Sequence, residues 1–165
     1  MHLRRSTALA TGALLLAIPL SGCSALSGRD DATMREYVPA NGTNNRDASV
    51  DVLGAVVVSA QPGSGTFVTT LVNNSADEAA SLTALAGTRA GDPLTVPEFQ
   101  PVDVPARGLV NLANLPSGEG VTVEGDFEAG QFLRMTIDLS TQEQVTMDVL
   151  VVPDDGSFAG LDTSA

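Results

Sequence analysis

The sequence is short of the residue types on which most catalytic and metal sites depend. It contains one histidine (His2), one cysteine (Cys23), one tyrosine, no tryptophan and no lysine. A single cysteine cannot form an intramolecular disulfide. With His2 near the N-terminus, a domain further along has no imidazole for general-base catalysis or for binding zinc or copper. We therefore expect neither an enzyme nor a protein with a resident cofactor.

Basic charge is also scarce. Eight arginines stand against 20 aspartates and glutamates, which leaves a net charge of −12. Nucleic acids and anionic lipid surfaces attract basic patches, so this balance argues against nucleic-acid binding and against electrostatic docking on a membrane. Any attachment to a membrane must then have a different physical basis.

The N-terminal segment has the layout of a secretory signal. Arg4 and Arg5 precede an apolar stretch from Ala8 to Leu20, and small residues then lead to Cys23. The stretch is too short for a transmembrane helix, which needs about 20 apolar residues. The run Leu20-Ser21-Gly22-Cys23 resembles the lipobox of bacterial lipoproteins. This resemblance implies cleavage between Gly22 and Cys23, lipidation of Cys23, and a lipid anchor on the extracytoplasmic face of the cell membrane.

Composition divides the remainder of the chain. Residues 23–47 are rich in Ser, Asn, Asp, Gly and Ala without a periodic apolar pattern, which predicts a flexible tether after the signal peptide of residues 1–22. Residues 48–155 contain short apolar runs separated by turn residues and predict one domain. Residues 156–165 are expected to be a loose C-terminal tail.

The runs within 48–155 are typical of β-strands. Val50 to Val58 is too apolar for a strand with one exposed face, so we expect it at the centre of a sheet. Alternation over 131–139 and 145–152 predicts a hairpin. Helix competes with strand over 77–86, and the β context favours strand. The other predicted strands are 66–72, 102–104, 109–115 and 120–127. Seven to eight short strands indicate an all-β fold, an antiparallel sandwich or barrel.

The domain resembles the PCu(A)C family of periplasmic copper chaperones over about 52–153. Short segments similar to those of the family occur in the same order. They are Val52–Val57, Gly65–Asn74, Ser81–Gly87, Val102–Gly108 and Glu128–Ile137. The resemblance implies a single antiparallel Greek-key β-sandwich, cupredoxin-like or immunoglobulin-like, of seven to eight strands.

The copper ligands of that family, two His and two Met, have no counterparts here. The corresponding segments 88–101 and 120–125 contain neither residue type. Of the methionines beyond the signal, Met34 falls in the tether, while Met135 and Met147 fall on apolar strand faces and are expected to pack in the core. The sequence therefore predicts no metal site. The alternative is a divergent copper-binding chaperone that uses Met thioethers and carboxylates.

One acidic cluster contains residue types that also occur in calcium sites and in glycoside hydrolases. Glu119, Glu124, Asp126 and Glu128 offer oxygen ligands of the kind that Ca²⁺ prefers, but their spacing fits no calcium loop. Asp126 and Glu128 are also a carboxylate pair of the kind used in glycoside hydrolysis, although no tryptophan is present to stack on a sugar. We expect a solvated acidic rim. The sequence thus predicts a non-catalytic binding or interaction module, whose partner is an unknown envelope protein or a small ligand.

Overall fold

A computed structural model describes residues 42–164, which form one ten-stranded sheet and two short 3₁₀ helices. The all-β prediction is confirmed. The strands are β1 (Thr43–Asn45), β2 (Val50–Gln61), β3 (Ser64–Asn73), β4 (Ala80–Arg89), β5 (Asp92–Pro93), β6 (Val102–Val104), β7 (Leu109–Asn111), β8 (Val121–Glu124), β9 (Phe132–Leu139) and β10 (Gln144–Pro153). The 3₁₀ helices span Leu112–Asn114 and Gly156–Phe158.

The sheet runs in the order β5-β4-β9-β10-β2-β3-β7, with β1 beside β2, β6 beside β4 and β8 beside β3. β2 is central, as its apolar run predicts. All strand pairs of the sheet are antiparallel except one. The exception is β2 with β10, which run parallel from Leu150↔Val56 to Pro153↔Ser59. A parallel pair needs a long crossover connection, and here most of the domain lies between the two strands. The structure thus has more strands than predicted and one parallel pair.

The β9–β10 hairpin forms as predicted and supplies much of the core. Successive side chains of a strand point to opposite faces, so every second residue is buried. The inward residues of this hairpin are Leu133, Met135, Ile137, Leu139, Val145, Met147, Val149 and Val151. They pack with the inward residues of β2, β3 and β4 in one large apolar cluster.

A second, smaller cluster lies on the other face of the sheet. It consists of Val56, Val58, Val68 and Val152, and it explains why β2 carries consecutive valines. Phe158 and Leu161 from the C-terminal segment pack against it. Residues 156–164 therefore cover apolar surface, and the prediction of a loose tail is wrong over this range.

Two further expectations need correction. Thr43–Asn45 falls within the predicted tether but pairs with β2, where Asn44 accepts a hydrogen bond from the Gly54 amide at 2.7 Å. The predicted strand 109–115 ends at Asn111, whose side chain accepts from the Ala113 amide at 2.9 Å and starts a 3₁₀ helix. Asn side chains favour such turns because they satisfy nearby backbone donors.

Candidate functional site

Gly22, Cys23 and Met34 lie outside the described residues, so the predicted cleavage and lipidation site stays a prediction. Within residues 42–164, no helix has the length and apolar character needed to cross a membrane.

The four acidic residues singled out in the sequence do not converge. Asp126 pairs with Arg89 at 3.3 Å, and its own side chain is fully exposed. Glu128 accepts a hydrogen bond from the Gln131 side chain at 3.3 Å. Glu124 belongs to β8, and Glu119 is exposed in the preceding loop. Over residues 42–164, no group of three or more His, Cys, Asp or Glu side chains is arranged to hold a metal ion.

Met135 and Met147 are buried and directly opposite one another across β9 and β10. Met135 is 0% exposed and Met147 is 6% exposed, and both belong to the large apolar cluster. The expectation that they lie in the core is confirmed. Their neighbours on the same strands, Arg134 and Asp148, point to the opposite face and pair there at 3.4 Å.

The two segments in which the sequence resemblance placed the copper ligands of the PCu(A)C family meet in space. The amides of Thr95 and Glu124 each donate to the carbonyl of the other at 2.8 Å. Beside this bridge, Leu94 packs onto Gly125 and toward Met135. A methyl group added at Gly87 would lie 2.9 Å from Leu94 Cδ1 and 2.7 Å from Met135 Sδ. Apolar side chains and close backbone therefore fill this position.

Two carboxylates hold neighbouring segments together. Glu143 accepts from the Ser49 hydroxyl and amide and from the Thr141 hydroxyl, and these bonds lower the pKa of Glu143. Burial raises the pKa of Asp162, but hydrogen bonds from Ser164, Ala60 and Thr66 outweigh it, and the net shift is downward. Both carboxylates are fully engaged by donors of the protein itself, which makes them structural.

The β4 notch is an open cavity on the outer edge of β4. It has a volume of about 490 Å³ and lies between Thr83–Leu85 of the strand and 96–100 of the following loop. Val96 and Phe99 are half-buried against the core, while Glu98 is exposed. The arrangement offers a strand edge, an apolar wall and one carboxylate.

The β4 notch was not among the sites predicted from the sequence. The signal was present in the three prolines, Pro93, Pro97 and Pro101, that follow the β4 strand pattern. Proline has no N–H and cannot donate to a neighbouring strand. Prolines in this segment disfavour a regular strand there, and part of the edge of β4 is therefore left unpaired.

No model of a protein family matches the sequence, and a search of curated proteins finds no significant match. Solved structures do resemble the fold. The apo PCuAC domain from PmoF1 is 15% identical with a TM-score of 0.50, and the alignment covers 67% of this chain and 99% of that one. The copper-bound PCuAC domain from PmoF2 is 14% identical with a TM-score of 0.51, covering 67% and 98%. Its apo form is 16% identical with a TM-score of 0.50, covering 69% and 98%.

At this level of identity the likeness concerns the fold. The PCuAC domains are matched over nearly their whole length, so the likeness extends across their fold and not to one part of it. The fold that the sequence resemblance implied is thereby confirmed.

Proposed function

We propose that this protein is a lipid-anchored, non-catalytic binding module on the extracytoplasmic face of the cell membrane, with a PCuAC-type fold and without that family's copper site. The observation that carries the proposal is the junction of segments 88–101 and 120–125. The fold brings these segments together, but Leu94, Gly125 and Met135 occupy the junction. None of them offers an imidazole, and the one thioether is buried in apolar packing.

Copper binding is the first test. The full chain, purified in detergent, is titrated with Cu(I) against a competing chelator, with the PCuAC domain of PmoF2 as the positive control. We expect this chain to bind Cu(I) with a Kd weaker than about micromolar. Tighter binding would contradict the loss of the copper site.

The alternative, a divergent copper chaperone, has one observation in its favour. Met135 and Met147 face each other in register, and paired thioethers are soft ligands suited to Cu(I). The double substitution Met135→Leu and Met147→Leu separates the two functions, because it removes both sulfur atoms with little change of volume. Under our proposal this variant and the wild type bind Cu(I) equally weakly. A loss of measurable binding in the variant would favour the alternative.

The lipid anchor is tested at Cys23. We expect the mature wild-type protein to begin at Cys23, to carry acyl mass and to fractionate with membranes. The Cys23→Ala variant should lack the acyl mass. Two or more acyl chains suffice for stable attachment, because each buried CH₂ contributes about 0.8 kcal/mol. The anchor would be refuted if the two proteins associated equally with membranes and the wild type carried no acyl mass that the variant lacks.

Partner binding is tested by co-purification from detergent-solubilised membranes. We expect the wild type to enrich at least one envelope protein over the Cys23→Ala control. If no protein or small molecule were enriched, the binding-module proposal would lose its support.

A further inference from the structure

The outer edge of β4 is paired at both ends and open in the middle. β6 pairs with Ala80–Leu82, and β5 pairs with Thr88 and Arg89. Gly87 is bonded to Leu94 of the following loop, so residues 83–86 remain open between these contacts, about 13 Å of strand at about 3.3 Å per residue. The β4 notch lies against this interval.

Leu85 presents its backbone groups to the notch. Alternate residues of a strand direct their N–H and C=O groups to the same side. The Gly87 carbonyl points to the outer edge, since it accepts from the Leu94 amide at 2.8 Å. Leu85, two residues earlier and opposite Ile137 of β9, therefore points outward as well. Among residues 42–164, the Leu85 N–H and C=O make no backbone hydrogen bond outside the strand pairings, and neither β5 nor β6 pairs with Leu85.

The loop that passes residues 83–86 does not pair with them as a strand. Between the end of β5 and the start of β6 the chain contains Pro97 and Pro101. Neither proline can donate a ladder hydrogen bond, so the loop leaves β4 after Leu94 and returns only at Val102. In doing so it forms the second wall of the notch, with Val96 and Phe99 packed against the core and Glu98 exposed. An unpaired edge beside a preformed wall is the arrangement used when a peptide adds as a strand.

We propose that the β4 notch binds a short, extended, basic segment of a partner protein, which adds as a strand along residues 83–86. This inference rests on the proposed function of a binding module and gives its partner a chemical class. The extended backbone supplies the hydrogen bonds that Leu85 lacks. Apolar side chains of the segment contact Val96 and Phe99, and a cationic side chain contacts Glu98.

The negative charge of the protein favours a basic partner segment. The chain carries a net charge of −12 and has no lysine, so its long-range field attracts cationic segments and repels acidic ones. A second copy of this chain is disfavoured as the occupant, because it would bring a second Glu98 to the contact and a net charge of the same sign. An unpaired β edge otherwise invites such self-pairing.

The test uses the full chain, labelled with ¹⁵N and purified in detergent. The probe is the acetylated and amidated peptide Arg-Val-Arg-Val-Arg, compared with Glu-Val-Glu-Val-Glu and with the basic peptide N-methylated at its central residue. We expect the basic peptide to shift the amide signals of Leu85, Gly87 and Glu98 and to slow hydrogen exchange at Leu85. N-methylation removes a donor and adds bulk at the edge, so it should weaken binding at least about fivefold.

Two protein variants test the charge contact. Glu98→Gln should weaken the basic peptide about two- to fivefold at low salt, the range expected for an exposed ion pair. Glu119→Gln is the matched control. It removes an exposed glutamate in the loop before β8, which pairs with β3 rather than β4, and should leave the affinity unchanged.

Several results would overturn the inference. They are shifts outside the notch, equal binding of the N-methylated or acidic peptide, or peptide-independent shifts at Leu85 that grow with protein concentration and indicate self-pairing. If the peptides fail while co-purification still enriches a partner, the notch inference is wrong and the binding module stands. If the basic peptide binds the notch but Cys23 carries no acyl chain, the notch inference stands and the lipid anchor of the proposed function fails.

Discussion

Asp162 shows how one side chain can hold a segment in place. Its carboxylate accepts from the Ala60 amide at 2.7 Å, from the Thr66 hydroxyl at 3.2 Å, and from the amide and hydroxyl of Ser164 at 2.9 and 2.6 Å. These donors lie on β2, on β3 and on the C-terminal segment itself. Hydrogen bonds to an ionised acceptor are stronger than those between neutral groups. The residue therefore ties the C-terminal segment to the two central strands.

The first prediction concerns Asp162→Asn. The amide retains one acceptor oxygen and loses the other, so we expect the free energy of unfolding at pH 7 to fall by about 1–2 kcal/mol. The pKa of Asp162 is lower in the folded state than in the unfolded state. Its ionised form thus stabilises the fold above the unfolded pKa of about 3.9, and this stability is lost as pH falls through the folded pKa.

Urea unfolding at pH 7 and at pH 3 measures this effect. The difference between wild type and Asp162→Asn should shrink at the lower pH. Asp155→Asn is the control, since Asp155 is exposed and its side chain makes no capping bond. A difference that is the same at both pH values would show that the charge of Asp162 contributes nothing.

The second prediction concerns Met135, which is fully buried. Met135→Leu nearly conserves volume and should cost less than about 1.5 kcal/mol. Met135→Ala leaves a cavity in the core and should cost about 2–5 kcal/mol. The free energy of unfolding of both variants measures the packing role. If Met135→Leu were as destabilising as Met135→Ala, packing volume would not be what the core requires of this residue.

At the scale of elements, the C-terminal segment acts as a cover for the second apolar cluster. Phe158 and Leu161 pack on the face formed by Val56, Val58, Val68 and Val152, together with Ala113 and Leu150. The segment is also held by its backbone, because the Leu161 amide donates to Asp154 at 3.0 Å and the Thr163 amide to the Thr66 hydroxyl at 2.7 Å. Packing and hydrogen bonds thus combine to order a segment that its composition alone describes as loose.

The third prediction tests that cover. Leu161→Ala removes half-buried apolar surface, so we expect the free energy of unfolding to fall by about 1–2 kcal/mol, at about 25 cal/mol per Å² of apolar area. Binding of a hydrophobic dye to the native protein should rise as the valines become accessible. The control is Ala159→Ser, at an exposed position of the same segment. Unchanged stability and dye binding in Leu161→Ala would mean that the segment covers nothing of energetic importance.

At the scale of the whole molecule, the fold is closed by the parallel pairing of β2 with β10. This pairing joins Val56 to Leu150, near opposite ends of the described chain. Contacts of such sequence separation form slowly, because loop-closure entropy is lost before the contacts are made. They also make the strands mutually dependent, since β2 is a neighbour of β1, β3 and β10 at once.

The fourth prediction follows from that dependence. Urea should unfold residues 42–164 in a single transition, as expected for a single domain under about 150 residues. Amide signals from β1 and from β8, which contact different strands, should lose intensity at the same urea concentration. Two separate midpoints would indicate that the sheet is not one cooperative unit.

The alternation of apolar and polar residues was sufficient to predict burial where a residue's environment depends on its own strand. Alternation over β9 and β10 predicted the inward positions correctly, including Met135 and Met147, because period-two patterning directly encodes which face is buried. Val50–Val58 was correctly predicted to be central because its run is apolar on both faces, which is typical of a strand buried on both sides. The pattern failed at β1, where Thr43–Asn45 is a strand only because β2 offers it an edge.

The candidate site depended on tertiary structure to a greater degree. Composition showed that imidazole and thiol chemistry are absent from the domain, and motif order indicated the PCu(A)C-like fold. Neither revealed that Leu94 fills the junction of two distant segments, or that among residues 42–164 no strand pairs with the outer edge of β4 at Leu85.

The sequence by itself therefore determined the fold class, the buried face of each long strand, and the chemistry that the domain lacks. Only the tertiary structure decided what covers the second apolar cluster, which segments meet, and where a strand edge stays open. The physical reason is the sequence separation of the residues on which each property depends. Side-chain alternation and residue inventory are local properties, whereas the pairing of Val56 with Leu150 and the opening beside Leu85 depend on residues far apart in the chain.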